Sequence, residues 1–138
     1  MPSKDIYHNT VKKALEKDGW LVTKEQIKLT IGSRTLYIDL GADKVLAAEK
    51  EGRKIAVEIK SFLSPSPVDD LEKALGQYIL YRDILEDQEP ERILYLAVTD
   101  AVFEEIFSEP VGQIAIKKQR LRLLIFNPDT EEIVQWIP

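Results

Sequence analysis

Residues Arg92-Ile93-Leu94-Tyr95-Leu96-Ala97-Val98 form a nearly unbroken apolar run. A strand without polar alternation has to be covered on both faces, which is the condition of an interior strand in a sheet flanked by helices. Upstream, Val68 to Leu85 carries Leu71, Leu75, Tyr78, Ile79 and Ile84 at helical period, with Asp69 and Asp70 favouring the positive end of the helix dipole. Before that helix lies the strand-like Lys54-Ile55-Ala56-Val57-Glu58-Ile59. Parallel strands need a crossover, so residues 68–85 are the natural connection between strands 54–59 and 92–98. The expected fold is α/β, a mixed β-sheet flanked by helices.

The other elements fit around this unit. Residues 4–18 place Ile6, Tyr7, Val11, Ala14 and Leu15 on one helical stripe that Gly19 ends. Gln26–Ile31 and Thr35–Leu40 read as a hairpin across Gly32-Ser33-Arg34, and Val45–Lys50 with Lys54–Ile59 as a second across Glu51-Gly52-Arg53. Ser61 to Pro67, with prolines and serines, is the clearest loop. Asp100 to Phe107 predicts a short helix with Asp100 as its N-cap, and Pro110 to Lys118 fits either class. Leu121–Phe126 and Ile133–Ile137 read as strands around the turn Asn127-Pro128-Asp129. No linker or repeat divides the chain, so residues 1–138 are expected to form one domain.

Composition narrows the function classes. Zero Cys removes disulfides, thiolate zinc sites and cysteine nucleophiles, and the opening MPSKDIYHNT has no signal-peptide core, which predicts a cytoplasmic protein. No apolar run has the length of a membrane span, so no membrane is expected as a partner. The net charge of −5 repels a polyanion, so contact with DNA has to come from a local basic patch or through a partner.

Chemistry concentrates at Glu58-Ile59-Lys60. Residues two apart at the end of a strand point to one face, which places a carboxylate and an ammonium in one small space. Asp43 opens the preceding predicted strand, Asp39 lies near the end of the one before, and a hairpin folds Asp43 back toward Glu58. Hard oxygen ligands of this kind suit Mg²⁺ or Mn²⁺, with Asp43, Glu58 or Asp39 as metal ligands and Lys60 orienting or deprotonating the attacking water at a phosphodiester. Glu and Lys two apart on a strand are also common on solvated faces; here they follow Ile55-Ala56-Val57 on an expected interior strand, where an uncompensated charge is costly.

Asp43 with Glu58-Ile59-Lys60, preceded and followed by helices, resembles the PD-(D/E)XK nuclease superfamily with its restriction-endonuclease-like fold. Gln77 and Tyr81, four apart on the next helix, look like the Q-x-x-x-Y element of several of its nucleases, or form a helix face packed on the sheet. Over the full length, KDIYHNTVKKALEKDGW, LYIDLGA, AAEKEGRKIAVEIKSF, DLEKALGQYILYRDILE, ERILYLAV and the ending QWIP resemble the cyanobacterial XisH family, the excision controlling factors of the fdxN element known from heterocyst-forming organisms. That resemblance implies a role in programmed excision of a DNA element by a site-specific recombinase, together with an XisI-like companion protein. Two departures from the nuclease pattern stand out. Gly41-Ala42 occupy the place where a Pro often precedes the acid, and the first helix offers His8 where many members carry Glu, with Glu16 near the helix end. His8 is thus a candidate catalytic residue or an ordinary partly buried histidine.

Two function classes follow: a DNA-acting protein with Mg²⁺- or Mn²⁺-dependent phosphodiesterase chemistry, and a catalytically inactive interaction module that binds the XisI-like partner. Lys117, Lys118, Arg120 and Arg122 form the densest basic cluster, read either as phosphate contacts or as a solvated surface. Trp20 and Trp136 are expected as core or interface anchors, and the apolar ending Val134 to Pro138 suits burial in a homo-oligomer or against a partner.

Overall fold

Strand alternation in the centre of the chain sorts its side chains into two separate cores, one on each face of a sheet. The computed structural model describes residues 6–44 and 52–138, with residues 42–44 described through their backbone. In order, the elements are α1 (His8–Lys17), β1 (Leu21–Lys24), β2 (Ile27–Ile31), β3 (Arg34–Ile38), β4 (Leu40–Lys44), β5 (Arg53–Ile59), α2 (Pro67–Gln88) and β6 (Arg92–Thr99). They continue with α3 (Asp100–Val102), a π-helical turn (Phe103–Phe107), α4 (Pro110–Lys118), β7 (Leu123–Asn127) and β8 (Glu132–Ile137). Among the described residues a six-stranded sheet runs in the order β1-β4-β5-β6-β7-β8, and β2 pairs with β3. The β5–β6 and β6–β7 pairs are parallel and the β1–β4, β4–β5 and β7–β8 pairs antiparallel, so the fold is α/β with a mixed sheet.

One core joins Leu71, Ala74 and Tyr78 of α2 to Ala56, Leu94, Leu96 and Val98, with Ile27, Leu29 and Ile38 of the small hairpin beneath. The other joins Val11 and Leu15 of α1 to Ile55, Val57, Ile59, Tyr95, Ala97 and Phe126. Odd and even positions of β5 and β6 thus face opposite helices, which is why their sequences show no polar alternation. Trp20 lies in the α1-side core with Trp136 packed against it, as anchors rather than exposed rings.

Local chemistry sets the helix ends. Ser66 Oγ accepts from the Asp69 backbone N–H at 3.2 Å, and Pro67 occupies the first helical position of α2. At the end of α1 the Gly19 N–H donates to Glu16 O and the Trp20 N–H to Leu15 O, a Schellman closure for which Gly19 adopts φ +89°. The short helix after β6 is capped by Thr99, whose Oγ1 accepts from Val102 N at 3.1 Å; Asp100, expected in that role, sits one residue inside. Pro110 to Lys118 resolves as a helix because Gly112 lets it lie against the π-helical turn. A Cβ there would stand 2.3 Å from Ile106 O.

The first hairpin departs from expectation at its end. Thr35–Leu40 is not one strand: β3 ends at Ile38, buried in the α2-side core, and Leu40 enters the main sheet with its side chain in the α1-side core. The first helix begins at His8, so Ile6 and Tyr7, expected on its stripe, lie in the turn before it, with Ile6 exposed. Residues 4–5 and the predicted strand Val45–Lys50 lie outside the described residues. The strand that pairs with β5 among the described residues is Leu40–Lys44. No helix among the described residues is long and apolar enough to cross a membrane.

Tyr78 ties the crossover together. Its ring is fully buried, and its hydroxyl donates to Leu94 O at 2.9 Å and accepts from Arg122 N at 3.2 Å, joining α2 to the start of both parallel strands that follow it. Tyr78→Phe removes both bonds without changing the ring. We expect a loss of about 1–3 kcal/mol in urea unfolding with an unchanged m-value, because two backbone groups lose their partner.

Candidate functional site

The register of β4 on β5 decides which acid meets Glu58. Leu40 pairs with Val57, so the preceding residue, Asp39, stands beside Glu58. Asp39 Oδ2 accepts from the Ile59 backbone N–H at 3.2 Å. Asp43, the other acid expected here, pairs through its backbone with Lys54, four residues from Glu58 along β5. The anticipated fold-back of Asp43 onto the Glu58 end therefore fails for a geometric reason: the antiparallel partner of β5 begins at Leu40, which runs Asp43 away from Glu58.

Glu58 is 6% exposed and alternates with the α1-facing Val57 and Ile59, so its side chain points to the α2 side together with Ala56. Lys60 follows on the same side, its backbone N–H extending the parallel ladder to Ala97 O at 3.1 Å. Its Nζ lies 3.5 Å from Glu58 Oε1, so the expected sharing of one space by this pair is met. Glu58 Oε2 is buried and makes no hydrogen bond. Burial first, and the neighbouring Asp39 second, push the Glu58 carboxyl up to about 8, with Lys60 acting in the opposite direction.

From α2, Tyr81 approaches the same carboxylates. Its phenol is raised by burial first and then by the charges of Glu58 and Asp39. Gln77, one turn earlier, lines a cavity of about 210 Å³ together with Lys60, Ser61 and Lys73. Asp39, Glu58, Lys60, Gln77 and Tyr81 thus gather where β5 ends under α2. Lys73 was not singled out from the sequence, although the spacing 73, 77, 81 places it on the same helix stripe. The loop leaving Lys60 is strained, with Phe62 at φ +54° and its ring edge-on to Phe107.

His8 has other neighbours. It is 2% exposed on α1, whose apolar residues pack on the face of the sheet opposite α2. Its Nε2 lies 3.3 Å from Glu25 Oε1, a carboxylate it shares with Lys12 Nζ at 3.4 Å. The inward position expected of His8 is found, in company with Glu25.

The donor set is compatible with a hard divalent cation. Among the described residues no three His, Asp or Glu side chains form a metal-holding group, but Asp39 and Glu58 provide two carboxylates at one point. Mg²⁺ is commonly held by one or two carboxylates while keeping waters. The orphaned Glu58 Oε2 and the mutual disfavour of the two negative charges are what a cation would relieve.

The raised Glu58 carboxyl has a stability consequence. Below its ordinary value of 4.5 both folded and unfolded chains hold the proton; above it the unfolded chain releases the proton while the folded one keeps it until about pH 8. The contribution of Glu58 to stability is therefore full in acid and falls as pH rises between these values. We expect Glu58→Gln to match the wild type at pH 4 and to exceed it by about 2 kcal/mol or more at pH 8, measured by denaturant unfolding without divalent cations. Parallel pH curves for the two proteins would contradict the buried, proton-holding state of Glu58.

The sequence matches the family model described as XisH protein over residues 1–134. Comparison with curated proteins gives no match. The fold resembles the crystal structure of an XisH family protein from Nostoc punctiforme PCC 73102, 38% identical, with 97% of this chain and 100% of that chain covered and a TM-score of 0.88. It also resembles that of a fdxN element excision controlling factor protein from Anabaena variabilis, 37% identical, with 98% and 100% covered and a TM-score of 0.86. By full-length sequence and by fold, the chain belongs to the XisH family.

Proposed function

We propose that the chain acts in the programmed excision of a DNA element by a site-specific recombinase, and that the end of β5 carries Mg²⁺- or Mn²⁺-dependent phosphodiesterase chemistry of the PD-(D/E)XK type. The observation that carries the chemical part is the buried Glu58, with one unpartnered oxygen, beside Asp39 and Lys60. The family name of the Anabaena variabilis relative supports the excision role.

When bound, a divalent cation supplies Lewis-acid activation and charge neutralisation at the scissile phosphate. Asp39 and Glu58 would hold it, with the Ile59 carbonyl as a further oxygen donor. Lys60 orients the attacking water and offsets the negative charge that grows on the phosphate oxygens in the transition state. Gln77 and Tyr81 keep Lys60 and the substrate phosphate aligned from the α2 side. Glu58, protonated at neutral pH in the free protein, must give up its proton for this site to assemble.

A second reading is favoured by the same Lys60–Glu58 contact. A buried acid occupied by a lysine at 3.5 Å in a chain of net charge −5 suits an inactive relative that binds an XisI-like companion. The edge strands offer surface for this, with Leu21 of β1 66% exposed and Val134 of β8 56% exposed.

Isothermal titration of Mn²⁺ separates the two. The catalytic reading expects saturable binding that is lost in Glu58→Ala and that releases about one proton per ion near pH 7, read by repeating the titration in buffers of different ionisation enthalpy. Affinity then increases with pH up to about 8, as Glu58 loses its proton. In cleavage assays on branched and single-stranded DNA, Lys60→Ala is expected to lower the rate by roughly 100-fold or more with the fold retained. Full activity of both variants would remove the site assignment; wild-type protein that binds no Mn²⁺ but captures a companion protein would establish the second reading.

A further inference from the structure

A second polar pocket, of about 140 Å³, opens beside the last turns of α2, where β6 and β7 begin; Glu58 and Lys60, by contrast, lie where β5 ends. Its lining includes Arg82 of α2, Arg92 at the start of β6 and Arg122 just before β7, with Glu86 as the acid among the lining residues. None of these belongs to the site described above.

The guanidinium groups are unequally satisfied. The Arg92 side chain is 7% exposed, donating from Nη1 to Ile55 O at 2.9 Å and from Nε to Glu89 Oε1 at 3.2 Å. The Arg82 side chain is 13% exposed and donates from Nη1 to Gln119 O at 2.8 Å. Its Nε is buried without a hydrogen-bond acceptor, and the nearest carboxylate, Asp83 Oδ1 at 3.5 Å, belongs to a largely exposed side chain. Arg122 makes no ion pair among the described residues; its backbone N–H serves Tyr78, and its side chain also lies against the Tyr78 hydroxyl.

Arg92 is paired with Glu89, whereas Arg82 faces only the exposed Asp83 and Arg122 has no ion pair among the described residues. Positive charge is therefore incompletely balanced in one small, partly enclosed space, and a buried N–H without an acceptor costs free energy. Both are relieved by an anion with several acceptor oxygens, for which guanidinium forks are well matched. The surroundings extend the same sign of charge. Lys117 and Lys118 end α4, and Arg120 follows in a turn at φ +53° whose Gln119 carbonyl is held by Arg82. The basic cluster picked out in the sequence is therefore tethered to the pocket by one of the pocket's own arginines.

We infer that this pocket binds a phosphate group, with Arg82 and Arg122 as donors, the Glu89-paired Arg92 forming its wall, and the Lys117–Arg122 segment as the path for any adjoining phosphates. The phosphate belongs either to a free phosphate compound or to a DNA backbone, and the volume admits a single phosphate group.

The test is calorimetric titration of inorganic phosphate and pyrophosphate, at matched ionic strength, into the full chain and into Arg122→Gln and Arg82→Gln. Fluorescence anisotropy with a short duplex DNA over a salt series is run alongside. Saturable phosphate binding, weakened about tenfold or more in both variants, is expected. If Arg82→Gln fails to fold, Arg122→Gln still decides, since its backbone bond to Tyr78 is retained. A parallel loss of duplex affinity, with the salt slope reduced by about one, identifies a DNA backbone as the source. Unchanged duplex affinity beside lost phosphate binding identifies a free phosphate compound. Wild-type protein that binds no phosphate, or Arg122→Gln binding it equally well, overturns the assignment.

Discussion

One hydrogen bond, from the Ile59 backbone N–H to Asp39 Oδ2, fixes the point at which the chain leaves the small hairpin and enters the main sheet. Ile38 on one side of Asp39 is buried against α2, and Leu40 on the other is buried against α1. The chain thus changes sheet and face within three residues. A strand break usually leaves backbone groups unpaired; here the carboxylate takes up the Ile59 donor that the interrupted ladder would leave open. The same geometry sets Asp39 next to Glu58, so the acidic pair is a product of how β4 starts and not of a separate loop.

Two carboxylates placed this way oppose each other, and burial under α2 sharpens the conflict. The protein answers it with a lysine at 3.5 Å and with a proton retained on Glu58 at neutral pH. Neither fully satisfies the site, since Glu58 Oε2 stays without a partner. Buried polar groups in cores tend to complete their hydrogen bonds, because a half-satisfied buried polar group is costly. An incomplete set at the end of a central strand is what singles out this cluster for the proposed cation.

Much of this frame was legible in the sequence, and the exceptions have physical causes. The apolar run 92–98 and the helical period of 68–85 specified the parallel crossover, because covering a strand on both faces leaves few alternatives. Glu58 and Lys60 followed from period two. Asp39 rather than Asp43 did not, since register depends on where pairing begins, and Leu40-Gly41-Ala42-Asp43-Lys44 carries little hydrophobic pattern to announce a strand. The company of His8 depends on Glu25, seventeen residues away, which no local rule connects to it. Residues 110–118 were ambiguous because Pro and Gly read as punctuation, whereas Pro110 starts the helix and Gly112 packs it.

The α1-side core joins α1 to β7 and β8, elements more than a hundred residues apart in sequence. Val11 and Leu15 pack with Leu124 and Phe126, the Tyr7 ring meets Phe126 edge-on at 5.6 Å, and Lys17 Nζ donates to Thr130 O at 2.7 Å. During synthesis the first helix therefore emerges long before the strands that cover its apolar stripe. The α2 side can begin to form around β5 and β6 earlier, although it too takes Leu123 and Ile125 from β7. The apolar stripe of α1 stays uncovered until β7 and β8 pack against it.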